Sequence, residues 1–250
     1  MPSIGDHMLA HPNPPFLELG FFLDSNAPLL ELVEARVRLG SMASAAQVEA
    51  VGPDISYVST SVRIRDTAEL RTLARDESKR IVRVAFDGGD SSPELAVLLE
   101  PATQPTGARG VALWTSAEPL EPPNSWDDEA RAIRYGHGIH ATFLRLVADL
   151  TPAYAAISVE HGLPSPASLF ESPDPVAFTD AYISRNFIPG GEMDTIRRFA
   201  ESIGAYTEVI ADGLYTSCSR WFNPSSAAVD DASAQSLSLT ISKSLGRSQL

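Results

Sequence analysis

The sequence predicts an α+β fold: a mixed or mostly antiparallel sheet with helices packed on one face. Three observations carry this. Strand-like runs in the first half follow one another as β-α-β-α-β-β-β, without the regular alternation of a doubly wound nucleotide fold. A long amphipathic run begins after the Pro-rich stretch 118–123, so helix is concentrated in the second half. An apolar content of 44% over 250 residues is enough to bury a sizeable core and argues against general disorder.

The elements follow in order. Prolines make residues 1–15 an extended leader. Phe16 to Leu23 is apolar almost throughout and reads as a strand. Asp24, Ser25 and Asn26 offer N-cap chemistry, Pro28 suits a first turn, and Leu30, Val33 and Val37 share one helical face that stops at Gly40. Tyr57 to Ile64 alternates with period two, as a half-buried strand does. Asp66 to Glu69 forms a capping box for a short helix ending near Asp76. Strands are expected at Arg80–Phe86, Glu94–Glu100 and Gly110–Ser116, the first two joined by a turn at Asp87–Asp90.

Ser125 to Asp128 forms a second capping box, with acids well placed against a helix N-terminus. The helix it opens runs to about Leu150, with Ile139, Phe143, Leu146 and Leu150 as its apolar stripe. Gly136 and Gly138 are out of place inside it, each costing about 1 kcal/mol against alanine, and point to a kink or a close contact. Tyr154–Val159 is open to strand or helix. Met193–Ile203 reads as a helix closed by Gly204. Strands at Tyr206–Ile210 and Leu214–Trp221 meet at Asp212-Gly213, a strong hairpin signal. Eight serines among residues 225–250 suggest a disordered tail, interrupted by an alternating run at Ser236–Ser242 that suits an edge strand. The expected organisation is one α+β domain over residues 14–224, sheet-rich to about 120 and helix-rich from about 125. Residues 1–13 and 225–250 are expected to be flexible or partly ordered tails.

The net charge is −13, with 32 acids against 19 bases. Residues 1–125 hold 17 acids and 10 bases, and residues 126–250 hold 15 and 9, so the excess is spread along the chain. Such a field disfavours nucleic acid and anionic membrane and favours a basic partner. Cys218 is the one cysteine, which excludes an intramolecular disulfide and a Cys-rich zinc module; a small buried residue is its simplest role. Residues 1–15 lack a basic n-region and an apolar h-region, and no window matches the roughly 20 apolar residues of a membrane span. A cytoplasmic location and no cofactor are expected.

Candidate chemistry is sparse. His137 and His140 stand three apart on the long helix, where a shared metal ligand with His161, Glu160 or another carboxylate is conceivable; packed or capping histidines are the competing reading. Glu160, Asp180 and Asp212 are the carboxylates available for acid–base work, with nothing in the sequence to fix their separation. Nucleophile-elbow, P-loop and dinucleotide glycine motifs are missing, so no catalytic residue is assigned. Gly190 and Gly191 precede a helix and read as a turn. Aromatic and arginine residues concentrate in Tyr182–Phe187 and Leu214–Asn223. Tyr182, Tyr215 and Trp221 are of the types that anchor protein interfaces, and equally of the types that plug a core between helix and sheet. Trp126, beside Asp127, Asp128 and Glu129, is a second aromatic–acidic spot.

The segments Pro152–Glu160, Leu163–Pro166, Asp180–Ser184 and Asp212–Ser217 resemble bacterial polymorphic-toxin immunity proteins. The likeness is to acidic α+β members that protect against restriction-endonuclease-like toxins, and covers mainly residues 130–223. It implies a non-catalytic protein that binds and neutralises a cognate basic toxin, and transfers no catalytic residue. The charge agrees: nucleases present basic clefts to phosphate backbones, and an acidic binder is steered toward them. The alternatives are a metal-dependent hydrolase using His137, His140 and a carboxylate, and an adaptor or scaffold subunit.

Overall fold

The computed structural model describes residues 15–23, 47–51, 62–63, 81–86, 95–99, 109–120, 126–223, 225 and 227–248. Its strands are β1 (Phe16–Leu23), β2 (Gln47–Val51), β3 (Val62–Arg63), β4 (Ile81–Phe86), β5 (Leu95–Leu99), β6 (Arg109–Ser116), β7 (Tyr154–Val159), β8 (Asp180–Ser184), β9 (Tyr206–Ile210) and β10 (Gly213–Ser217). The α-helices are α1 (Trp126–Leu150), α2 (Pro166–Glu171), α3 (Gly190–Ser202) and α4 (Asp231–Arg247), and a 3₁₀ turn spans Glu118–Leu120. The expected helices around Leu30–Val37 and Asp66–Asp76, the start of the Tyr57 strand, Ser125 and the leader lie outside the described residues.

All ten strands join one sheet, in the order β3-β2-β4-β5-β6-β1-β7-β8-β10-β9, and every pairing is antiparallel. The α+β class and the antiparallel sheet therefore hold. β1 is central: Leu19 pairs with Leu113 of β6 on one side and Ile157 of β7 on the other. Its residues 17–23 are all buried, which accounts for the unbroken apolar run.

The helices sit on both faces of the sheet, not on one as expected. Leu17, Leu19, Phe21 and Leu23 meet Ile139, Phe143, Leu146 and Leu150 of α1. On the opposite face Phe22, Tyr154, Ala156, Ile183 and Leu214 meet Met193 and Ile196 of α3 and Leu237, Ile241 and Leu245 of α4. The physical reason lies in the strands themselves. β7, β8 and β10 are buried on alternate residues of both faces, so each face requires its own cover.

Two local signals read from the sequence are present in detail. Gly204 takes φ +78° after α3, with the amides of Gly204 and Ala205 bonded to the carbonyls of Glu201 and Ala200, a complete Schellman motif. The β9–β10 hairpin forms, but its loop is Ala211-Asp212, with Ala211 at φ +51°, because Gly213 already pairs with Ile210. Gly213 is needed for packing: a Cβ there would lie 2.5 Å from the Tyr182 ring and clash with the Ile183 carbonyl.

The expected tail at 225–250 is corrected most. Residues 231–247 form helix α4, capped by Asp230, whose side chain accepts from the Ser233 amide at 3.0 Å. Ala234, Leu237, Ile241 and Leu245 follow a helical period and are buried; Leu237, Leu239 and Ile241 also fit a period of two, which is what suggested a strand. The serines suit a helix packed at close range. Ser238 accepts from the Phe178 amide at 3.1 Å, and Ser242 donates to the Asp174 carbonyl at 2.6 Å. The folded domain thus runs beyond residue 224, to the end of α4.

Leu237→Ala tests this directly. With Leu237 fully buried, the variant is expected to lose about 2–5 kcal/mol in urea unfolding. A change within about 0.5 kcal/mol, as for a surface tail, would contradict the packing of α4.

Candidate active groove at the strand ends

At one end of the sheet the last residues of β6, β7 and β10 meet the first residues of β1 and β8. There the structure leaves a groove of about 370 Å³, lined by Ala117, Leu120, Val159, Val176, Trp221 and Phe222 among others. Its walls are mostly apolar. Val159 and Val176 are 50% and 42% exposed at its mouth, unusual for large apolar side chains.

Asp180, the first residue of β8, lies in the groove wall and is 3% exposed. Its Oδ1 accepts from Ser217 Oγ at 2.5 Å and from the Ser219 amide at 3.2 Å, and its Oδ2 accepts from Thr179 Oγ1 at 3.2 Å. The cross-strand pairing of Asp180 with Ser217 sets the first of these. Burial pushes the carboxyl up to about 6, against the lowering effect of Ser217 and the Ser219 amide. Tyr215 and Cys218 feel its charge. Burial and then Asp180 raise the Cys218 thiol to about 12, and the side chain is buried, as expected.

Trp221 is held in place from α1. Its carbonyl sits against Gly136, where a Cβ would lie 2.4 Å away; Gly138 meets nothing within 4 Å. Gly136 therefore marks the close contact that the sequence suggested, and Gly138 does not. Arg220 stacks on the Trp221 ring at 4.1 Å and pairs with Glu129 at 3.3 Å, tying the loop to the start of α1.

Of the expected partner-binding residues, Trp221 is half-buried in the groove and Glu129 is engaged by Arg220. Tyr182 and Tyr215 are corrected: both are 0% exposed and pack under α1, so neither can touch a partner. The Tyr182 hydroxyl donates to Asp212 at 2.8 Å. The side chains of Trp126, Asp127 and Asp128 lie outside the described residues. His140 is buried, its ring 5.1 Å from Tyr215 and 6.4 Å from Tyr206, and burial lowers its pKa. Among the described residues, no three His, Cys, Asp or Glu side chains lie close enough to hold a metal ion, so His137, His140, Glu160 and His161 do not assemble as a ligand set. Asp180 and Asp212 do not pair either. Asp180 begins β8 and Asp212 lies beyond its far end, about five residues or roughly 17 Å away along the strand direction.

The groove-lining residues Val159 and Val176 were not singled out by sequence. No pattern marks them, because their placement depends on which strand ends meet. No protein-family model, curated protein or solved structure matches the chain. Among the described residues no helix is long and apolar enough to cross a membrane.

Two expectations follow from this geometry. Gly138→Ala should raise stability by about 0.5–1 kcal/mol, while Gly136→Ala should lower it by about 1–3 kcal/mol despite the same gain in helix propensity. Equal effects in urea unfolding would contradict the Trp221 contact. For Asp180 the folded pKa, about 6, lies above the ordinary aspartate value of 3.8. The folded state then binds the proton more tightly, so its contribution is fully present below the lower value and lost as pH rises through the higher one. The stability of the native chain relative to Asp180→Asn should rise on the order of 2–3 kcal/mol between about pH 7.5 and about pH 4. A pH-independent difference would contradict the burial of Asp180.

Proposed function

We propose that this chain is a non-catalytic, cytoplasmic immunity-type protein that binds and neutralises a cognate basic toxin, a nuclease being the natural target. The observation that carries the reading is the exposed apolar groove around Trp221, set in an acidic surface. Glu118 follows Ala117, Glu160 follows Val159, and Asp174 holds the Val176 amide at 2.8 Å; Glu118 and Glu160 are exposed and Asp174 is half-buried. An apolar centre with a charged rim is the usual anatomy of a protein-binding patch. The excess of −13 supplies the long-range attraction that would bring a basic partner to it. The resemblance of residues 130–223 to polymorphic-toxin immunity proteins supports the same reading.

Co-expression with the toxin encoded beside its gene is the test. The chain should restore growth and co-purify as a 1:1 complex. Its association rate should fall at least about tenfold between low and high salt, as electrostatic steering requires. Unrestored growth alongside a well-folded chain would overturn the proposal.

A further inference from the structure

Asp180 presents an unusual balance of charge and environment. It is a nearly fully buried carboxylate in the wall of a mostly apolar groove, and among the described residues no basic side chain pairs with it. Arg220, next to Trp221 in sequence, is engaged by Glu129 and by the Trp221 ring. Three donors make hydrogen bonds to the Asp180 carboxylate, from Ser217, Ser219 and Thr179, and the Cys218 amide, itself bonded to the Thr179 carbonyl at 2.9 Å, also stabilises its charge. Of the three hydrogen bonds, two fall on Oδ1 and one, from Thr179, on Oδ2, which leaves room on Oδ2 for a further donor. All three donors are neutral, and a buried charge in such surroundings gains most from a cationic one.

The walls have a matching shape. Val159 and Val176 at the mouth and Trp221 along the side offer apolar surface to an alkyl chain, and an aromatic face also favours a cation. The volume, about 370 Å³, lies within the range of sites that enclose a ligand group. The acids of the rim, Glu118, Glu160 and Asp174, would repel an anionic guest.

We propose that the groove receives one lysine or arginine side chain of the partner protein, its alkyl stem between Val159, Val176 and Trp221 and its cation on the Asp180 carboxylate. This rests on the reading of the chain as a binder of a basic protein, and names the contact that anchors the partner. Steering by the whole surface makes encounter fast, while insertion of one side chain into a desolvated groove sets how long the complex lasts. The anchor would be a hot spot of the kind formed by a charged group in a water-excluded pocket.

Agmatine, a guanidinium on a short alkyl stem, serves as the probe. In NMR titrations of the full chain at millimolar concentrations, agmatine should shift the Trp221 indole N–H and the Val159 and Val176 methyl signals. A neutral alkylurea of equal length should bind at least about tenfold more weakly, since it lacks the charge-assisted bond. Asp180→Asn should erase that preference. Because this substitution also disturbs three internal hydrogen bonds, Val176→Lys provides a second variant: it changes only an exposed position at the mouth, and should abolish the agmatine shifts and speed toxin dissociation at least about tenfold. Equal shifts from agmatine and the alkylurea, or a Val176→Lys chain that holds the toxin as long as the native one, would overturn the anchor. The toxin would then be bound elsewhere, and the immunity reading would stand. Agmatine seated in the groove with no protection against the toxin would support the cation site and overturn the immunity reading.

Discussion

The antiparallel pairing of β1 with both β6 and β7 is the constraint on which the rest of the structure depends. Without β1, β2–β6 and β7–β10 have no hydrogen-bonded link in the sheet order. Its alternation also divides the core. Leu17, Leu19, Phe21 and Leu23 turn to α1, while Phe22 stacks on Tyr154 at 5.0 Å on the other face. Glu18 and Gly20 fill the remaining positions for a local reason. Leu163 lies so close to Gly20 that a Cβ there would come within 2.6 Å, and the Leu163 amide donates to Glu18 at 2.9 Å. The segment between β7 and α2 is thereby clasped to the central strand.

The groove is a consequence of this arrangement. β1 and β8 begin, and β6, β7 and β10 end, at the same side of the sheet, so the segments that follow them gather there. Each wall is fixed by an ordinary folding interaction: the Trp221 carbonyl against Gly136, Arg220 on Glu129, and Asp180 against Ser217 across the β8–β10 ladder. The carboxylate at its wall carries a cost in stability at neutral pH, since burial disfavours its charged form. Cost of this kind, next to exposed valines, is more readily understood at a binding site than in a core.

What could be read from the sequence was local, and what could not was tertiary. β1 was legible because a strand buried on both faces leaves an uninterrupted apolar run. The end of α3 was legible because Gly204 adopts a backbone conformation that glycine favours. Helix α4 was not. Serine-rich composition normally signals a linker, and only the fit of Ser238 and Ser242 against the backbone of residues 174–178 shows why serine belongs there. Tyr182 and Tyr215 have the chemistry of interface anchors, but their strands place them under α1. β2 and β8 are short, and the second layer of helices was invisible because periodicity reveals that a face is buried without revealing what covers it. Asp180 was visible as a carboxylate; its burial and its place beside Trp221 come only from the pairing of β8 with β10.

In the function proposed above, a distributed acidic field would draw in a basic protein and one localised groove would hold it. Hydrogen–deuterium exchange of the chain with and without the proposed basic partner tests that division most directly. The account predicts that protection in the complex concentrates on residues 157–160, 176–180 and 217–222, with the edge strand β9 and the exposed face of α4 unchanged. Protection confined to β9 or α4, with the groove exchanging as in the free chain, would contradict it.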